Sequence, residues 1–495
     1  MKVVVVGSGP NGLAAAITLA RAGAEVVVLE AEAVPGGGVR TLDLHLAEGL
    51  RHDLCSAVHP LAWASPFFAE FDLPARGVQL LAPEVSFAHP LDGGRAAVAY
   101  RDLSETAAGL GPSGRAWMRL FAPLVERWPL LVGNLLSDMR RLHGPLRPGT
   151  LATLARFGIG AVRQGGVLPA LREEAAALFG GVAAHSMGRL PSLPAAGVGL
   201  MLATLGHTPG GWPIPHGGSG TIVAAMIWDL ETHGGRLFTE TRVETHRDLP
   251  PADAYVFDTT PSHVARVFED QLRPRSRRRL LAFRHGAGVA KVDFVLSGPV
   301  PWTHADVARA GTVHVAGTPA QMAAAEADVA RGRHAERPVC LVSDPAVADP
   351  SRAVGGLRPL WSYAHVPAGS PGDVTADVTA QIERFAPGFR DVVLASRCIP
   401  AAQMAQHNAN YVGGDIAGGA MSLRQVAARP AASWDPYAVS GLDGVYLCSA
   451  STPPGPGVHG MGGLGAARSL LRRFSQRVPD LSPDQREAAI RGRGL

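Results

Sequence analysis

Residues 2–30, KVVVVGSGPNGLAAAITLARAGAEVVVLE, constrain the fold more than any other stretch. Lys2–Val6 is a short apolar run rich in β-branched residues, as a buried parallel strand should be. Gly7, Gly9 and Gly12 follow at once as G-x-G-x-x-G. Leu13 and Ile17 then lie four apart on one helix face, and Gly23 is a natural C-cap. AEVVVLE reads as a second strand ending at Glu30. Each part has a mechanical reason. Gly7 permits the tight turn, Gly9 lets backbone approach a pyrophosphate, and Gly12 lets helix and strand pack closely. The helix N-terminus offers free N–H groups and a positive dipole end to phosphates. Glu30, eighteen residues after Gly12, is placed to accept from a ribose 2′-OH. A lone G-x-G-x-x-G says little, but strand, turn, helix, strand and acid in this order is specific. The competing reading is an ordinary βαβ unit with a glycine turn.

The 495 residues suffice for two or three domains, or for one large core with a second layer. With 46% hydrophobic and 18% charged residues, the chain is not disordered. No apolar run reaches the roughly 18 residues of a membrane span. The opening has no basic stretch or cleavage site and does not read as a signal peptide. Cys55, Cys340, Cys398 and Cys448 lie far apart with no C-x-x-C, which predicts reduced thiols, no structural metal and a cytoplasmic protein. RPRSRRRLLAFR places six arginines between Arg273 and Arg284. It reads as a solvated basic turn, with peripheral docking on anionic lipid headgroups as the alternative. No nucleic-acid motif accompanies it.

AEAVPGGGVRT adds Gly36, Gly37 and Gly38, then Arg40 and Thr41. Here the sequence resembles the FAD-dependent amine oxidase and phytoene desaturase superfamily, in which such a glycine stretch wraps the FAD pyrophosphate. RHDLCSAVHPLAWASPFF (51–68), PHGGSGTIVAAMIWDLETHGGRLFTETRV (215–243) and NANYVGGDIAGGAMSLRQ (408–425) extend the resemblance along the chain, to a phytoene desaturase-related bacterial branch. The resemblance implies FAD as cofactor. It points to Gly7, Gly9, Pro10, Asn11, Gly12, Glu30, Ala31, Gly36, Gly37, Gly38, Val39 and Arg40 as cofactor residues at the start of the chain. It adds Val243 and Asp258 in the middle, and Ser449, Gly457, Val458, Gly460 and Met461 near the end. Arg40 would neutralise the diphosphate, and Val243 would meet the adenine through its backbone.

STPPGPGVHGMGGLG (451–465) repeats the G-x-G-x-x-G spelling at Gly455, Gly457 and Gly460. A second nucleotide unit needs about 30 residues and another strand. Only thirty-five residues follow Gly460, and they read as one helix and a polar tail (476–495). The economical reading is one dinucleotide held at both ends, with the late helix N-terminus facing the isoalloxazine ring.

The expected fold is therefore α/β and α+β. A Rossmann-type FAD-binding domain (1–75, 210–275, 400–475) is interleaved with a substrate domain that is helical over 76–209 and sheet-based over 276–399. Trp117–Met139 reads as one amphipathic helix; AGVAKVDFVLSG and LRPLWSYAHV read as strands. Four residues are candidates for catalysis. Lys291 resembles the lysine that holds water near the flavin in amine-oxidase-type enzymes, with an exposed polar strand face shared with Asp293 as the alternative. His59, with Asp53 on the same segment, is a candidate proton acceptor. His459 either acts directly or caps its turn, and Tyr411 faces substrate. His45, His52 and His59 are seven apart, but intervening Gly49 and Pro60 argue against a metal set.

The expected activity is hydride removal from a largely apolar, lipophilic substrate to form a C=C bond, with oxygen or a quinone as acceptor. Amine oxidation, polyene isomerisation and a flavoprotein scaffold with little turnover remain as alternatives. Monomer and homodimer are both open.

Overall fold

The computed structural model describes residues 1–138, 147–167, 171, 173–431 and 433–487. Two sheets organise it. The first is five-stranded and wholly parallel, in the order Val445–Leu447, Ala254–Phe257, Lys2–Val6, Glu25–Leu29, Arg236–Phe238. Its strands come from three separate stretches of the chain. The central strands Lys2–Val6 and Glu25–Leu29 are short, rich in valine and largely buried, as a parallel sheet covered by helices requires, whereas the edge strand Arg236–Phe238 is partly exposed. Helix Pro10–Arg21 crosses between the first two strands, and Gly23 ends it at φ +84°.

The second sheet has seven strands, in the order Val393–Ile399, Gly288–Leu296, Arg358–Val366, Cys340–Ser343, Val313–Val315, Val85–Pro90, Ala96–Tyr100. Its pairings are antiparallel except between Val313–Val315 and Val85–Pro90. Residues 85–100 differ from the helical character expected of 76–209. They form a hairpin because the Gly93–Gly94 turn, with both glycines at positive φ, separates two alternating runs.

Three other elements depart from expectation. The Trp117–Met139 helix is broken into Gly114–Val125 and Trp128–Leu135, because Pro129 supplies no N–H to continue the first; Met139 lies outside the described residues. The arginine cluster is a helix, Pro274–Leu281, rather than a turn. The tail is not simply polar, since Leu481 is fully buried. Arg21 donates to the carbonyls of Asp480 and Ser482, and Arg76 to that of Leu481. Residues 488–495 lie outside the described residues. No helix among the described residues is long and apolar enough to cross a membrane.

Candidate active site

A cavity of about 520 Å³ lies between the two sheets, within the range of cofactor and ligand pockets. Its walls come from both ends of the chain. Gly7, Gly9, Pro10, Asn11, Glu30, Ala31, Gly37, Gly38 and Val39 line it from the N-terminal unit. Val243 and Asp258 line it from the middle, and Ser449, Gly457 and Val458 from the late segment. His59 and Tyr411 also line it.

The early turn closes over Asp258. Gly7 adopts φ +97°, a conformation that disfavours any side chain. A Cβ on Gly9 would stand 2.5 Å from Asp258 Oδ2, and the Gly12 N–H donates to the same oxygen at 2.9 Å. Burial, with a smaller contribution from the charge of Glu30, pushes the Asp258 carboxyl up to about 7. Glu30 accepts from the Ser8 amide and hydroxyl through Oε2 and from the Glu32 amide through Oε1 at 2.9 Å, which fixes its carboxylate at the cavity wall. The Gly36–Gly38 loop folds back on this turn. Gly36 donates to Ser8 Oγ at 3.0 Å, and a Cβ on Gly37 would lie 3.1 Å from Gly9 Cα. These glycines leave a backbone-lined trough that side chains would fill. The Val243 carbonyl is held by His263 Nε2 at 2.8 Å, and Ser449 Oγ donates to the Thr259 carbonyl.

Five expected cofactor residues stand behind the wall rather than on it: Gly12, Gly36, Arg40, Gly460 and Met461. Arg40 is the main correction. Its guanidinium donates to the carbonyls of Gly37 and His407, so it ties the glycine loop to the 407–411 segment and does not point at the trough. Gly460 is needed for another reason. It sits at φ +67°, and a Cβ there would come within 2.5 Å of the Phe67 ring. The first amides of helix Met461–Arg473 are already occupied. Met461 N–H donates to His459 Nδ1 and Gly462 N–H to Asn11 Oδ1.

That geometry corrects the direct chemical role for His459. Its Nδ1 accepts from Met461 and its Nε2 bonds the Gly455 carbonyl at 3.2 Å, so the ring caps its own turn and does not line the cavity. Asp53 is likewise structural. Thr41 Oγ1, the Ser219 amide and Arg352 all donate to it, and it lies away from the cavity. His59 is different. Nε2 meets Ser219 Oγ at 2.8 Å while the buried Nδ1 has no partner, and burial lowers the ring to about 4. Tyr411 packs its hydroxyl against Gly38 and Cys55, and burial raises it well above the ordinary phenol range.

Lys291 overturns its exposed-face alternative. It is 1% exposed, it pairs with the fully buried Asp293, and its Nζ lies 5.2 Å from the centre of the Trp361 ring. Register explains the arrangement. Lys291 lies opposite Tyr363 and Asp293 opposite Trp361, so all four share one sheet face. Trp361 and Tyr363 reach the cavity; Lys291 stands one side chain behind them. The same face continues through Leu341 to His314, whose Nε2 lies 2.9 Å from that of His185 on the cavity wall. Reading LRPLWSYAHV only as a strand missed this wall. Its signal was the alternation of Trp361, Tyr363 and His365, which puts three rings on one face.

An NAD(P)-binding Rossmann-like domain matches residues 5–71. Pyridine nucleotide-disulfide oxidoreductase domain-containing protein 2 of Rattus norvegicus is 25% identical over 544 residues, covering 95% of this chain and 93% of its own length. Hydroxyneurosporene desaturase of Cereibacter sphaeroides is 68% identical, but over 41 residues, 8% of each chain. Among solved structures, cyclohexylamine oxidase from Brevibacterium oxydans shares the fold at a TM-score of 0.56, with 14% identity over 96% of this chain and 99% of its own. The chain thus carries a Rossmann-type segment at its start, resembles an oxidoreductase domain-containing protein along nearly its whole length and shares the fold of a solved amine oxidase.

Proposed function

We propose that this protein binds FAD along the cavity and removes a hydride from a C–H bond of a largely apolar organic molecule. A proton leaves the neighbouring carbon and a C=C bond forms; oxygen or a quinone is the final acceptor. One observation carries the reading: the early and late glycine turns, some 450 residues apart in sequence, line a single cavity. The trough along Gly7–Asn11, Glu30, Gly37 and Val243 suits an ADP moiety, and the wall at Gly457 and Val458 suits the flavin ring. Bound there, FAD supplies a two-electron acceptor that no side chain of the chain can provide. The protein's own residues orient the substrate and exclude water. His59, uncharged near neutral pH with Nδ1 free, is the group suited to accept the departing proton.

The aromatic wall favours a second reading, oxidation of an amine. Trp361 and Tyr363 meet edge to face at 5.1 Å and both line the cavity with Tyr411. The fold likeness to cyclohexylamine oxidase accords with it.

The test is direct. The purified protein is expected to be yellow, to release flavin on denaturation, and to bleach when photoreduced without oxygen. A folded sample without flavin absorbance overturns the proposal. Anaerobic bleaching by an amine but by no alkene-forming substrate selects the second reading.

A further inference from the structure

We infer that His185, backed by His314, anchors one uncharged oxygen group, a hydroxyl or carbonyl, on an otherwise apolar substrate. The inference rests on the oxidoreductase reading above and names the substrate class of the same cavity.

The two rings form a dyad, with His89 and His365 nearby. Their Nε2 atoms are 2.9 Å apart and their planes cross at 80°. One Nε2 must carry the proton and the other accept it. His185 lines the cavity, and among the described residues its Nδ1 has no protein partner. The dyad therefore presents either an N–H or a lone pair to whatever occupies the cavity, and can adapt to a donor or an acceptor. His314 is fully buried and keeps the His185 ring in place through this bond and the Trp212 ring, which stands edge-on to both at 5.3 and 5.8 Å.

Two more uncharged groups face the same end. Thr312 Oγ1 lines the cavity, is buried and has no partner, and the Tyr363 hydroxyl has no protein hydrogen bond among the described residues. Around them Met187, Leu202, Trp212 and Leu341 are apolar. Buried polar atoms without partners are costly unless a ligand or water satisfies them. Burial first, and the neighbouring His365 second, lower His185 to about 3, so the ring is neutral near pH 7. A neutral ring does not pair with a carboxylate, and a largely apolar pocket penalises an ammonium. An alcohol or ketone satisfies the free groups without importing charge, whereas a pure hydrocarbon leaves them orphaned.

The test uses the full chain as purified, titrated with 1-octanol, 2-octanone, octane and protonated octylamine and followed by tryptophan fluorescence, with Trp212 against the dyad. Octanol and octanone are expected to bind roughly tenfold tighter than octane, the value of one satisfied buried hydrogen bond, and octylammonium more weakly than either. His185→Phe is expected to bring octanol to within about twofold of octane while flavin content is retained. A crystal structure of the wild type with octanol should place its oxygen within hydrogen-bond distance of His185 Nδ1, and this needs no variant. Equal binding of octanol and octane, an undiminished preference in His185→Phe, or an oxygen bound elsewhere overturns the inference. Flavin absorbance is read separately: a colourless protein that still prefers octanol overturns the oxidoreductase reading and leaves the anchor standing.

Discussion

Two turns in this protein are spelled alike and built differently. In the early turn, Gly7, Gly9 and Gly12 crowd a backbone against the carboxylate of Asp258, and the trough they leave faces the cavity. In the late turn, Gly457 and Gly460 avoid hydrocarbon: a Cβ on either would strike Leu61 or the Phe67 ring. The glycines just beyond, Gly462 and Gly463, let helix Met461–Arg473 lie against helix Pro10–Arg21 so closely that a Cβ on Gly463 would overlap the Asn11 carbonyl. The same spelling thus serves ligand approach at one end and chiefly close packing at the other, where Gly457 also lines the cavity. A glycine motif specifies where a side chain is forbidden; what forbids it comes from the rest of the fold.

The sharpest way to break this comparison is Gly463→Val. The added carbons have nowhere to go without parting the two helices, and overpacking of this kind costs about 3 kcal/mol or more. Urea unfolding should show the loss as a lower midpoint; an unchanged midpoint would mean that the helices are not in register as described. Gly9→Ala should behave in the opposite sense. Its Cβ meets the end of the Asp258 side chain rather than backbone, so a small rotation of one carboxylate relieves the contact. Stability should fall by no more than about 1 kcal/mol, while flavin binding weakens roughly tenfold or more because the backbone no longer closes on the pyrophosphate. Flavin content per folded chain, measured beside the melting temperature, reads both. If Gly9→Ala lowers the melting temperature as far as Gly463→Val does while flavin content per folded chain is unchanged, the assignment of the two turns is reversed.

Asp258 gives a pH signature to the early turn alone. Its carboxyl is raised in the folded protein to about 7, against about 3.9 in an unfolded chain. Between those values the folded state holds a proton that the unfolded state has released, so stability falls as pH rises from about 4 to about 7. The slope from this one group is at most about 1.4 kcal/mol per pH unit. Asp258→Asn should flatten that window. A wild-type curve without the fall would remove the buried carboxyl from beneath the turn.

How much of this was legible beforehand depended on how local each constraint is. The first thirty residues disclose strand, turn, helix and acid because those elements are adjacent in sequence and their periods are intact. The late turn, strand and helix were legible for the same reason. Arg40 turns away from the trough because one of its partners, the carbonyl of His407, is brought in by a tertiary crossing 367 residues away, while the other, that of Gly37, is local. Lys291 and Asp293 do alternate as a polar face should. Which side of a sheet is wet, however, depends on the neighbouring strands, and Trp361 and Tyr363 cover that side. The His185–His314 contact joins a helix end to a strand 129 residues later, and neither segment carries a local mark of it.

The smallest effect is expected at His459, and it bears on whether the late turn does chemistry at all. Both ring nitrogens are spent on backbone, Nδ1 accepting from Met461 N–H and Nε2 meeting the Gly455 carbonyl. An asparagine oxygen can take over the Nδ1 role, as such side chains do at helix N-termini. His459→Asn should therefore cost no more than about 1 kcal/mol and leave the rate of flavin reduction within about twofold. A general acid or base at this position would instead lose on the order of a hundredfold in rate with the fold intact. Stopped-flow reduction of the variant separates the two outcomes, because a capping residue moves the melting temperature and a catalytic one moves the rate. If the rate collapses while the melting temperature holds, the late turn is part of the chemistry, and the contrast with the early turn narrows to the glycines alone.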